Sequence, residues 1–134
     1  VYVVTGVVFD QDGDLVRDPD NATMRMRSNN KNSRVAIPSH LYKILAHQNP
    51  DGTIETLSIM LPNVEKKIPK DEAKQYLEEH IRSIDQIEQV TGINFFPSIG
   101  SSNPTSEAAI ESATAPALWP VTRPWPGPLD SQCK

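Results

Sequence analysis

Asn49-Pro50-Asp51-Gly52 stands between two apolar runs, Tyr42-Lys43-Ile44-Leu45-Ala46-His47 and Thr53-Ile54-Glu55-Thr56-Leu57-Ser58-Ile59-Met60-Leu61, and this constrains the fold more than any other feature. Asp-Gly tolerates the positive backbone angles of a tight turn, so the two runs should pair as antiparallel strands. At 134 residues the chain is about one domain. A hydrophobic content of 37% with 6% aromatics allows a modest core, and the 12 prolines must interrupt regular structure often.

Upstream of the hairpin, Val1-Tyr2-Val3-Val4-Thr5-Gly6-Val7-Val8-Phe9 reads as a buried strand, with Gly6 a bulge or a point of close approach. Residues 21–33 are rich in Asn, Ser, Lys and Arg and read as a surface excursion, after which Arg34-Val35-Ala36-Ile37-Pro38 returns to strand character. Downstream the period changes. Residues 70–80 are charged, with Ala73, Tyr76 and Leu77 at helical spacing, which predicts a surface helix. A second helix is better marked: Ser83-Ile84-Asp85-Gln86 is a capping box, Ile84, Ile87 and Val90 form an apolar stripe, and Gly92 can supply a left-handed stop. Asn94-Phe95-Phe96-Pro97 reads as a short buried anchor. Residues 98–134 form a looser, Pro-rich C-terminal tail with one short helix expected at 106–113, and Trp119 and Trp125 are expected to pack back over the core rather than stack on bases.

The sharpest chemical feature is Asp10-Gln11-Asp12-Gly13-Asp14-Leu15-Val16-Arg17-Asp18, directly after the first strand. Asp10, Asp12, Asp14 and Asp18 occupy positions one, three, five and nine of a cation-binding loop, with the Val16 carbonyl at position seven. The pattern departs from a helix-loop-helix calcium hand: Leu15 replaces the usual Gly, Asn21 stands where a bidentate Glu would, and Asp20 could substitute. A loop spanning 10–21 that binds calcium is one reading; a solvated Asp-rich turn is the other.

A formal charge of -4 gives no global argument for nucleic acid, since a dedicated binder is usually basic. The local group Arg25, Arg27, Lys31 and Arg34 could contact phosphates of DNA or RNA, or simply be soluble surface. None of His40, His47 and His80 stands in metal-ligand or triad spacing, and solvated or capping roles are expected of the last two. The lone Cys133 is either a free thiol or half of a disulfide to another chain. Asn21-Ala22-Thr23 is a glycosylation sequon, meaningful only in a secretory pathway. No run approaches the roughly twenty apolar residues of a membrane span, so no membrane partner is expected. The start at Val1, on a strand and without Met, suggests that something upstream has been removed.

Taken in order, Val3-Val4-Thr5-Gly6, Val35-Ala36-Ile37-Pro38-Ser39-His40-Leu41-Tyr42-Lys43-Ile44, Ile59-Met60-Leu61-Pro62-Asn63 and Ser83-Ile84-Asp85-Gln86-Ile87-Glu88-Gln89-Val90-Thr91-Gly92-Ile93-Asn94-Phe95-Phe96 resemble the second half of the DNA/RNA non-specific endonucleases. The last block is similar to the family's closing helix, where an Ile-Glu pair precedes Thr-Gly and an aromatic pair. The resemblance covers residues 1 to about 97. The acidic loop also resembles the calcium-binding ladder in the nuclease-like domain of ectonucleotide pyrophosphatase/phosphodiesterases, a domain that does no chemistry itself. Active nucleases of the family carry a D-R-G-H motif, whose His is the general base, and a downstream Asn that binds the catalytic magnesium. This sequence has no such motif, and the resemblance implies that those groups lie before Val1. His40 falls where relatives also carry a His beside a strand, which implies a structural role.

The resemblance implies an α+β fold, an antiparallel sheet with packed helices forming the C-terminal half of a ββα-metal nuclease. Residues 1–97 would be the nuclease-like part, holding a structural calcium; an N-terminal half of the same nuclease would supply His, Asn and magnesium. The assembled, secreted or extracellular enzyme would hydrolyse phosphodiester bonds, with this chain alone inactive. A non-catalytic calcium-stabilised scaffold and a calcium-dependent binding module are the alternatives.

Overall fold

The computed structural model describes residues 1–14, 16–18, 26–30, 33–97 and 106–120, with backbone alone for 26–30 and 33–34. The fold is α+β. Strands β1 (Tyr2–Val8), β2 (Met26–Asn30), β3 (Ser33–Ala36), β4 (His40–Gln48) and β5 (Ile54–Pro62) are followed by α1 (Ala73–Glu78), β6 (Ile81–Arg82), α2 (Ile84–Thr91) and α3 (Glu107–Ser112). A four-stranded sheet runs in the order β1-β4-β5-β6 with every neighbour antiparallel, and β2 and β3 form a separate two-stranded ribbon.

The expected hairpin is the centre of this sheet. Strands β4 and β5 pair without interruption from His40↔Pro62 to Gln48↔Ile54. Its turn closes through Asn49 N–H to Thr53 O at 2.8 Å and Gly52 N–H to Asn49 O at 2.9 Å, with Gly52 at φ 87. Alternation then decides what each face meets. Tyr42, Ile44 and Met60 point to one face and join Val8, Ile84, Ile87, Val90 and Ile110 in the core.

Helix α2 forms as its residues dictate. Ser83 Oγ accepts from Gln86 N–H at 3.2 Å while Ser83 N–H donates to Gln86 Oε1 at 3.0 Å, and Gly92 ends the helix at φ 68. Its stripe of Ile84, Ile87 and Val90 lies fully against the sheet core. Phe95 and Phe96 pack beside it, with the Phe95 ring edge-on to Tyr42 at 5.5 Å between centroids.

Several expectations change. The opening strand is not a buried one: β1 lies at the sheet edge, and only Val8 is fully in the core while Tyr2, Val3 and Val7 are exposed. Strand order, which hydropathy does not encode, leaves β1 with one paired neighbour among the described residues. Gly6 is a close approach without a bulge, since a Cβ there would run into the Tyr42 side chain. The helix expected over 70–80 is shorter, Ala73–Glu78, because Glu72 at its N-cap makes no side-chain cap bond and the helix buries no residue fully. The two-residue β6 was too short to show any periodicity.

Candidate metal centre

Strand β1 delivers the acidic loop to the end of the sheet, and the start of β4 receives it. Ser39 is the joint: its hydroxyl donates to Val8 O at 3.1 Å and accepts from Asp10 N–H at 2.9 Å. Asp18 N–H donates to Phe9 O at 2.8 Å, so the loop's two ends close on each other. Gln11 Nε2 donates to Ile37 O at 3.1 Å and ties the loop to the approach to β4.

Inside this frame the carboxylates are aimed by backbone amides. Asp10 Oδ1 accepts from Gly13 N–H at 2.9 Å, Asp18 Oδ2 from Gln11 N–H at 3.0 Å and Asp12 Oδ1 from Asp14 N–H at 3.3 Å. Gly13, at φ 76, supplies the left-handed turn that lets the chain double back. One oxygen each of Asp10, Asp12 and Asp18 comes within 4.8 Å of the other two. Asp10 and Asp18 are only 2% and 3% exposed, whereas Asp12 faces solvent. Oxygens bound to one calcium at about 2.3–2.6 Å lie up to about 5 Å apart, so three hard oxygen donors at this spacing fit such an ion.

The structure therefore brings together three of the four aspartates expected from the sequence. Asp14 lies outside that trio and its Oδ1 accepts from Val16 N–H at 2.8 Å, while Val16 is exposed at the surface. Asp20, Asn21 and Leu15 lie outside the described residues. Ser39 and Gln11, which hold the loop, were missed because no spacing rule links them to the ladder.

A cleft of about 280 Å³ opens beside the trio, lined among others by Asp10, Asp12, Ser39, His40 and Asn63. His40 Nδ1 lies 3.0 Å from Ser39 Oγ. Burial holds its pKa below the usual imidazole value, against the opposing pull of Asp10 and with smaller help from Arg82 and His80, so the ring is neutral at neutral pH. Asn63 is spent on the fold, its Nδ2 donating to Pro38 O at 2.9 Å.

Arg27 lies on β2 and Arg34 on β3, in the register Arg27↔Val35 and Ser28↔Arg34; Arg25 and Lys31 lie outside the described residues, as do Asn21, Trp125 and Cys133. His80 caps α1 through its Nδ1, 2.6 Å from Tyr76 O. His47 packs edge-on to Trp119 at 6.5 Å rather than standing in solvent, so this part of the tail does return to the sheet. Among the described residues no helix is long and apolar enough to cross a membrane.

The profile of the DNA/RNA non-specific endonucleases matches residues 1–102. The chain belongs to that family. It is 34% identical over 103 residues to mitochondrial endonuclease G of Bos taurus and 33% identical over 103 residues to that of Homo sapiens, in each case over 74% of this chain. The chain spans 30% of the length of these curated relatives. A crystal structure of an EndoG/EndoGI complex aligns with 73% of this chain and 36% of its own at 16% identity, with a TM-score of 0.43, a likeness too slight to bear on the argument.

Proposed function

We propose that the chain is one part of a metal-dependent endonuclease that hydrolyses phosphodiester bonds in DNA or RNA, with the reacting groups on an N-terminal part of the same nuclease. Membership of the endonuclease family over residues 1–102 carries this reading. Two further features support a larger assembly. No Asp-Arg-Gly-His occurs in the sequence. The sheet face opposite the core is apolar and incompletely covered: Val3, Val7 and Leu41 are exposed on it, beside a groove of about 410 Å³ lined by Leu45, Ile59, Leu61 and Trp119. Exposed contiguous apolar surface of this kind marks an interface.

In this reading Asp10, Asp12 and Asp18 hold a calcium ion for the fold. The ion would cancel the repulsion among the three carboxylates and lock the turn between β1 and β4. A catalytic magnesium supplies stabilisation of charge on the phosphate, and it would sit on the N-terminal part. Here the chain's own residues orient and support: Ser39 fixes the loop, and neutral His40 braces Ser39. Arg25, Arg27, Lys31 and Arg34 would add phosphate contacts that position nucleic acid without reading sequence. A secreted location, with Cys133 bridged to another chain, belongs to the same proposal and rests on the sequon and the lone thiol.

Cleavage of supercoiled plasmid and of single-stranded RNA in magnesium tests it, comparing this chain with a longer polypeptide from the same reading frame. Cleavage by the longer polypeptide alone is expected. If both fold and neither cleaves, the non-catalytic scaffold is correct instead.

A further inference from the structure

A second group of carboxylates is assembled where α3 packs on α2. One oxygen each of Asp85, Glu88 and Glu111 lies within 4.8 Å of the other two. Asp85 stands in the first turn of α2, fixed by the capping box, and Glu88 follows three residues on, which places it on the same flank. Glu88 is further held in place, since its Oε1 accepts from Phe95 N–H at 2.7 Å. Glu111 arrives from α3, whose Ile110 is locked in the core.

Glu111 is only 8% exposed, and its Oε1 has no hydrogen-bond partner among the described residues. Buried polar atoms are nearly always partnered, so an orphaned oxygen on a carboxylate that converges with two more calls for a cation. Among the described residues no basic side chain is ion-paired to any of the three. Burial pushes the Glu111 carboxyl up from its usual range, and the charges of Glu88, Glu107 and Asp85 push it further. A proton is thus the competing occupant.

We propose that Asp85, Glu88 and Glu111 form a second site for a hard divalent cation, which staples α3 to α2. Oxygens around one calcium lie up to about 5 Å apart, which accommodates the 4.8 Å limit within which these three lie. With three protein carboxylates the rest of the shell would be water, an arrangement that suits calcium or magnesium. The site is separate from the loop of Asp10, Asp12 and Asp18, and shares no residue with it.

Calorimetric titration of the full 134-residue chain with calcium chloride, and separately with magnesium chloride, counts the sites. Glu111→Gln preserves shape and removes the charge; Asp85→Asn does the same at an exposed position and decides the matter should the first variant not fold. Each is expected to abolish one equivalent of binding or weaken it at least tenfold, while Asp12→Ala with Asp14→Ala removes the loop's equivalent and leaves this one. Should both single variants keep the wild-type stoichiometry and affinity, the cluster holds only protons and the proposal is wrong. Because the loop variant is scored separately, failure of the loop site and failure of this one give different patterns.

Discussion

The two acidic clusters differ in how they are held. In the loop, the carboxylates come from residues close in sequence, and the amides of Gln11, Gly13 and Asp14 each donate to one of them. At the helices, Glu111 comes from a different element than Asp85 and Glu88, and its Oε1 has no hydrogen-bond partner among the described residues. The loop's carboxylates are therefore held by its own amides, while the helix cluster leaves a buried oxygen without a partner among the described residues. Both would gain from a cation, but only the second should be relieved by neutralisation.

Removing divalent cations should have the largest effect. A ligand at about a hundred times its dissociation constant contributes about 2.7 kcal/mol, so chelation should lower the melting temperature by on the order of 10 °C. Gly6→Ala should follow, at about 1–3 kcal/mol, as an over-packed contact against Tyr42. It is the change expected to weaken both cation responses. Strand β1 leads into the loop, and Tyr42 leans on Phe95, whose amide holds Glu88. Thermal melts with and without calcium check this.

Ser83→Ala should cost about 1 kcal/mol by deleting the cap of α2. It should loosen the seat of Asp85 and Glu88 yet leave calcium binding by the loop intact, which titration of the variant would read. The smallest effect separates the clusters most sharply. Because Glu111 has a raised pKa in the fold, its stabilising contribution is present at acid pH and is lost as pH rises through the folded value. In chelator, Glu111→Gln should therefore raise the melting temperature at pH above the carboxyl's folded value, and the gain should vanish on acidification.

The same contrast explains what the sequence discloses. The turn at Asp51-Gly52, the Ser83 box and the Gly92 stop are local patterns and appear where the residues place them, and three aspartates of the equally local Asp ladder converge. Exposure of β1 was hidden because the hydropathy of Val1 to Phe9 describes a strand but not its neighbours. The Asp85, Glu88 and Glu111 cluster was hidden because it depends on how α3 docks, and only Ile110 hinted that α3 has a buried side. Ser39 was hidden for the same reason, since its role exists only once β4 lies beside β1.

The acidic loop of this endonuclease-family chain is proposed to serve the fold through a bound cation. Thermal melting of the wild type and of the Asp12→Ala, Asp14→Ala variant, each in calcium and in chelator, tests it most directly. The variant should melt well below the wild type in calcium and alongside it in chelator. Identical melting of the two proteins in calcium would contradict it.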